Sequence, residues 1–155
     1  MDYIIRPFEK KDTAAVLDVT VKAFNMQSSI DARIEAAIGG ADWQEVKRAG
    51  IRHEIETAPA GCAIAELNDV IVGYVGTVVN PVANRGTITN LTVDPSCQGQ
   101  GIGRRLIEWA LAYFRANGLY QAKIETLVTN AVGAHLYPAM GFEEVAQQAH
   151  YVLKL

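Results

Sequence analysis

"QGQGIGRRLIEW", residues Gln98 to Trp109, sets glycines at alternate positions (Gly99, Gly101 and Gly103) and then turns directly into a helical pattern. A helix start leaves its first four N–H groups without partners and carries about half an elementary positive charge. Bare backbone there lets an anion reach those groups without interference from a Cβ. Arg104 and Arg105 add cations to the first turn, where the macrodipole alone disfavours them, and a bound anion would account for both. A tight strand-to-helix turn is the other reading of the same glycines. A P-loop would need GxxxxGK followed by Ser or Thr, whereas Arg104 follows Gly103 here. A dinucleotide fingerprint would need GxGxxG in an early βαβ unit; the spacing from Gly99 is GxGxG and lies in the second half of the chain.

Working outward, the stretch before the loop has the period of strands. "CAIAEL", the two-residue turn Asn68-Asp69 and "VIVGYVGTVV" predict a β-hairpin, because Asn and Asp tolerate positive φ. "NPVANRG" reads as a further turn and "TITNLTV" as a third antiparallel strand. Upstream, "YIIRPF" is a short strand, and Asp12 is expected to cap a helix carrying Val16, Leu17, Val21 and Phe24. "SIDARIEAAI" and "DWQEVKRAGIRHEIE" are less regular helical segments, the second with Trp43, Val46 and Ile51 on one face. Downstream, the helix after the loop has an apolar stripe of Leu106, Ile107, Ala110, Leu111 and Phe114, closed by Asn117-Gly118. "QAKIETLV" is a strand whose order after the helix favours a parallel crossover. A short helix over Ala134–Met140 ends at Gly141, and "FEEVA" and "HYVLKL" are expected to be two closing strands. The chain reads as one domain over residues 1–155, of the α/β class with a mixed sheet.

Composition narrows the functional classes. The chain has 155 residues, half of them apolar, and a formal net charge of −3. Lysines and arginines form no run beyond pairs such as Lys10-Lys11, so the electrostatic footprint of a nucleic-acid binder is absent. No apolar stretch approaches the ~20 residues of a membrane span. No signal-peptide layout opens the sequence, so a cytoplasmic location is expected, with Cys62 and Cys97 as reduced thiols. Three scattered histidines and two isolated cysteines give no metal-ligand spacing, and no metal is expected.

"LTVDPSCQGQGIGRRLI" resembles the cofactor motif of the GNAT acetyltransferase superfamily: a strand ending in Val, then Asp-Pro, then Gln-x-x-Gly-x-Gly opening a helix. Gln98, Gly101 and Gly103 fill that pattern. "IETLVTNAVGAHLYPAMGF" resembles the second family motif, supplying Asn130, Leu136-Tyr137 and Gly141-Phe142. The N-terminal "IRPFEKKD" and "YVLKL" are also typical, so the resemblance spans the chain. It implies a mostly antiparallel sheet of about seven strands with a central, splayed parallel pair flanked by helices. It implies transfer of an acetyl group from acetyl-CoA to a primary amine of a small molecule or peptide, by direct attack in a ternary complex. Residues Gln98, Gly99, Gln100, Gly101, Ile102, Gly103 and Arg104 would hold the pyrophosphate. The main chain of Leu91, Thr92 and Val93 would bond the pantetheine arm, with Asn130 on its other side. Self-association as a homodimer is left open. So is a different class, a non-catalytic acyl-CoA-binding regulatory module in which the same motifs bind but do not turn over.

Tyr137 matches the family tyrosine that faces the CoA sulfur. A phenol has a pKa of ~10 against ~8.5 for a thiol, so it would donate a hydrogen bond to the departing thiolate and protonate it late. A half-buried core tyrosine is the alternative, and Pro138 beside it predicts a kink or a displaced ring. An alkyl amine with a pKa of ~10.4 is only about one part in 10³ neutral near pH 7, so some group must accept its proton. Relatives often place a glutamate on the fourth strand; here the positions are Thr87, Thr89 and Asn90. Glu66, Glu125 and a water relayed by Asn90 are the candidates. His135 and Cys97 read as structural.

Overall fold

The computed structural model describes residues 2–155. Its strands are β1 (Tyr3–Pro7), β2 (Ala63–Leu67), β3 (Val70–Asn80), β4 (Arg85–Val93) and β5 (Gln121–Ile124). Its helices are α1 (Thr13–Ala23), α2 (Ile30–Ile38), α3 (Trp43–Thr57), α4 (Ile102–Ala116) and α5 (Ala131–Ala139). One sheet runs in the order β1-β2-β3-β4-β5, antiparallel except for the parallel β4–β5 pair. The expected mixed α/β class holds. The expected strand count does not, since five strands form rather than about seven. "QAKIETLV" leaves the ladder after Ile124, and neither "FEEVA" nor "HYVLKL" is in a strand. Alternating apolar residues supply strand propensity, but a strand exists only where a neighbour completes its hydrogen bonds.

Alternation along the strands sends side chains to two cores. Ala63, Ala65, Val75 and Ile88 pack with Ile102, Leu106, Ile107, Ala110 and Phe114 of α4. On the other face Ile64 and Tyr74 pack with Val16, Leu17, Ile51 and Ile55 of α1 and α3. Leu106 and Ile107 are fully buried, and each such side chain contributes about 1.5–3 kcal/mol on leaving water. The β2–β3 turn forms as expected, with Asn68 and Asp69 at φ +50° and +62°. Gly118, at φ +70°, follows the last turn of α4.

Two local expectations are revised. Asp12 stands at the N-terminus of α1, but its carboxylate caps no α1 amide. It accepts two hydrogen bonds from Arg6 and one from the Glu9 N–H, and Arg6 also binds Glu66. The buried face of α3 carries Ile51, Glu54 and Ile55, whereas Val46 is exposed. No described helix is long and apolar enough to cross a membrane.

Candidate active site

The loop after β4 is held at its base. Asp94 accepts from the Ser96 N–H at 2.9 Å and from Lys22 Nζ of α1 at 2.6 Å. The Lys22 ammonium and the Ser96 hydroxyl hold its carboxyl down at about 2. Gln98 Nε2 donates to the Val93 carbonyl at 3.3 Å, folding the loop back onto its own strand. Gly99 and Gly101 then adopt φ +77° and +83°, which side chains with a Cβ rarely tolerate. A Cβ on Gly99 would meet nothing within 4 Å, so the space above it is open. Gly103 differs. A Cβ on it would make ordinary van der Waals contacts with Leu136 Cδ2 (3.4 Å) and Val93 Cγ2 (3.7 Å), and its φ is not positive, so neither backbone conformation nor packing within the chain demands a glycine here.

Gly101 is the N-cap of α4 and offers no side-chain acceptor. The N–H groups of Ile102, Gly103 and Arg104 have no hydrogen-bond partner among the described residues. The Ile102 side chain is buried in the core and anchors the turn. Gln100 Oε1 is buried without a partner, and the exposed Arg104 makes no ion pair among the described residues. Open N–H donors, two left-handed glycines and a free guanidinium form a cradle that fits a phosphate group.

Beside the loop the sheet comes apart. The β4–β5 ladder stops at Ile88 and Ile124, while β4 continues to Val93 bonded only to β3. Leu91, Thr92 and Val93 therefore present one unpaired backbone edge to the gap. Thr92 is buried, and its hydroxyl lacks a partner. Across the gap, Asn130 caps α5: its Oδ1 accepts from the Gly133 N–H at 3.3 Å, and its Nδ2 donates to Thr126 Oγ1 at 2.9 Å. Both ends of that amide are used within the chain.

Tyr137 lies on α5 with its ring edge-on to Phe142, centroids 6.3 Å apart. Gly133 makes room for it, because a Cβ there would come within 2.8 Å of Tyr137 Cε2. Burial pushes the phenol up to about 12, and its oxygen makes no hydrogen bond among the described residues. Pro138 does not end the helix. It occupies the last turn, where the Met140 N–H closes onto Leu136 and Tyr137 carbonyls.

A buried polar cluster next to this stretch of β4 is built around Glu54, a residue the sequence reading passed over. It comes from α3 and is 9% exposed. Oε1 accepts from Tyr74 Oη at 2.5 Å; Oε2 accepts from the Thr89 hydroxyl; Asn90 Nδ2 donates to both oxygens at 3.2–3.3 Å. A carboxylate this buried is stable only with such donors. A bulge makes the arrangement reachable: β3–β4 pairing steps from Gly76↔Asn90 to Thr77↔Ile88, leaving Thr89 extra. Thr89 and Asn90 are then both bonded to the same carboxylate. Gly76 leaves the space, since a Cβ there would lie 1.7 Å from Glu54 Oε1. Burial and the Glu54 charge push the Tyr74 phenol far up, so it remains a donor.

Lys47, two turns before Glu54 on the same face of α3, donates to Asn90 Oδ1 at 2.9 Å and stands 4.0 Å from the Phe24 ring centroid. Its pKa is lowered by burial. A cavity of ≈ 230 Å³ lined by Asp31, Val46, Lys47, Gly50, Ile51 and Asn90 opens beside this cluster. Glu125 lies elsewhere, exposed and 3.3 Å from Lys123. Glu66 is engaged by Arg6. Neither is hydrogen-bonded to Asn90 or Tyr137. The signal for Glu54 is present in α3: Lys47, Ile51, Glu54 and Ile55 follow helical spacing on one side, and a carboxylate beside two buried isoleucines requires buried partners. Among the described residues no group of His, Cys, Asp or Glu is placed to hold a metal.

A family model for the acetyltransferase (GNAT) family matches residues 30–142. The chain is 34% identical over 102 residues to a mycothiol acetyltransferase of Cellulomonas flavigena, covering 60% of this chain and 29% of that protein. It is 31% identical over 74 residues to the ribosomal protein bS18-alanine N-acetyltransferase of Escherichia coli, covering 48% of this chain and 50% of that one. The match thus spans half or less of the length of either relative. The fold superposes on the PaiA N-acetyltransferase of Thermoplasma acidophilum in complex with coenzyme A, with a TM-score of 0.76 at 17% identity over 96% of this chain and 94% of that one.

Proposed function

The chain belongs to the GNAT acetyltransferase family, and from that premise we propose that it acts as one catalytic unit, moving an acetyl group from acetyl-CoA to a primary amine of a small molecule or peptide. The observation that carries this reading is the gap at Leu91–Val93, flanked by a phosphate cradle on one side and a buried carboxylate cluster on the other. Relatives and a fold neighbour named as acetyltransferases, one in complex with coenzyme A, support the donor.

Acetyl-CoA, when bound, supplies an acetyl group activated as a thioester. The N–H groups at Gly99–Arg104 bind its pyrophosphate, and the free edge of Leu91, Thr92 and Val93 aligns the arm as an added strand. Tyr137 donates to the departing sulfur; its raised pKa keeps the proton on the phenol throughout the neutral range. The incoming amine enters at Asn90. Thr89 is exposed on one side and donates to Glu54 on the other, so its hydroxyl can pass the amine's proton to the carboxylate behind it. This route is favoured over Glu125 and Glu66 because, of the three carboxylates, Glu54 is the one in hydrogen-bond contact with Asn90.

A CoA-release screen across polyamines, amino acids and peptide N-termini tests the reading, with acetyl-CoA binding measured in parallel by calorimetry. Saturable release with at least one amine class is expected. Tight CoA binding with no turnover on any class would favour a non-catalytic binding module. Failure to bind CoA would overturn the reading altogether.

A further inference from the structure

Every lysine but one stands in solvent. Lys10, Lys11, Lys22, Lys123 and Lys154 are exposed, whereas Lys47 reaches inward from α3 onto β4. Its Nζ donates to Asn90 Oδ1 at 2.9 Å and lies 4.0 Å from the Phe24 ring centroid. Lys11, Lys22 and Lys123 each pair with a carboxylate; among the described residues Lys47 makes no such pair. Burial holds its pKa below the ordinary lysine value, against the pull of the Asp31 and Glu54 charges. A desolvated lysine has more free amine at neutral pH than an exposed one, and the free amine is the nucleophile.

Its position points the same way. Asn90 is where the proposed acceptor enters, and it directly precedes the unpaired edge of Leu91–Val93. The Asn90 amide joins the amine to the carboxylate: Oδ1 accepts from Lys47, and Nδ2 donates to Glu54. Lys47 also lines the cavity of ≈ 230 Å³ beside this cluster, with Asp31 across from it on the same wall set. An external amine approaching Asn90 Oδ1 therefore meets a primary amine that the chain itself supplies.

Given the donor site proposed above, on which this step depends, we propose that the chain acetylates its own Lys47. The free Nζ attacks the thioester carbonyl carbon; an N–C bond forms, the C–S bond breaks, and CoA leaves as the thiolate. Nζ gives up one proton, by way of Thr89 to Glu54, and the sulfur gains one from Tyr137. Proton exchange with water resets both groups. The products are acetyl-lysine at position 47 and free CoA. The modified side chain is uncharged, so the cavity keeps the Asp31 carboxylate and loses its cation.

The test uses the full chain and acetyl-CoA in a buffer free of amines. CoA release should stop at a single equivalent per chain, the intact mass should rise by one acetyl group, and peptide mapping should place that group on Lys47. In the folded chain Lys47 should outpace the exposed Lys154 by at least about tenfold, a small part of what positioning can give. In guanidinium the two should react alike. The rate per chain should not change on dilution, because donor and acceptor belong to one molecule. Lys47→Arg keeps the cation and should abolish the single equivalent of release. If Lys47 stays unmodified while acetyl-CoA binds and external amines turn over, the inference falls and the proposed function stands. It falls equally if Lys47 is no faster than Lys154, which is solution chemistry, or if the rate per chain drops on dilution, which is transfer between chains. A chain that binds no acetyl-CoA overturns the proposed function and this step together.

Discussion

The two halves of the candidate site are built in opposite ways. The donor half, from Leu91 to Arg104, is one continuous run of main chain, and its chemistry lies in N–H groups, φ angles and an unpaired edge. The acceptor half is assembled from side chains far apart in sequence: Lys47 and Glu54 of α3, Tyr74 and Gly76 of β3, Thr89 and Asn90 of β4. A backbone site leaves a contiguous signature, because the turn itself dictates the residues. A side-chain site leaves only isolated oddities, each with an innocent explanation. The two halves should therefore fail separately when mutated.

The largest effect is expected at Gly76. Replacing it with Val drives atoms into the Glu54 carboxylate and the Tyr74 hydroxyl. Overpacking of this kind costs ~1–3 kcal/mol or more. Thermal unfolding should show that loss and amine turnover should vanish, while calorimetry on the folded fraction finds CoA affinity retained. Equal loss of both would mean the halves are coupled.

Next comes Tyr137→Phe, which keeps the ring against Phe142 and deletes one donor. Such a loss costs about 10²–10³ in kcat with little change in the KM for acetyl-CoA. A spectroscopic titration should place phenolate formation near 12, above the ordinary tyrosine value. An activity loss below about threefold would remove Tyr137 from the chemistry and return it to packing.

The glycines sharpen the donor side. Gly101→Val must adopt positive φ, a strain of roughly 1–3 kcal/mol, and should weaken CoA binding by about tenfold or more. Gly103→Ala should be much milder, because its Cβ would only touch Leu136 at 3.4 Å. Calorimetry on the pair decides whether Gly101 holds the ligand-facing turn while position 103 tolerates a Cβ. The smallest effect is expected for Arg104→Ala: an exposed charge worth about 0.2–1 kcal/mol to a bound phosphate, fading as salt rises. A loss that ignores salt would contradict a purely electrostatic role.

The same contrast explains what the amino-acid sequence disclosed. The β2–β3 turn, the loop and α4 follow from local rules, since Asn68-Asp69, Gly99 and Gly101 are demanded by φ and the α4 stripe by period. "HYVLKL" has the alternation of a strand, yet alternation gives only strand propensity and says nothing about which edge a segment joins; residues 150–155 join none of the described strands. In α3 the choice of Trp43, Val46 and Ile51 as one face was rotated from the buried one; the true seam includes Glu54, which a hydropathy pattern discounts as polar. Asn90 was identified, but its partner was not, because a bulge at Thr89 is invisible to a period of two.

In the proposed mechanism Glu54 receives the acceptor's proton while the donor half works independently of it. The measurement is the pH–rate profile of Glu54→Gln, run beside its CoA affinity. With the carboxylate neutralised, kcat/KM for the amine should fall about 10²–10⁴-fold at neutral pH, the range for removing a general base. The rate should then recover about tenfold per pH unit toward the amine pKa of ~10.4, as free amine replaces the missing base. CoA affinity should change less than about threefold, a shift under ~0.7 kcal/mol. A variant that keeps its neutral-pH rate, or one whose loss persists unchanged to high pH, would contradict the account.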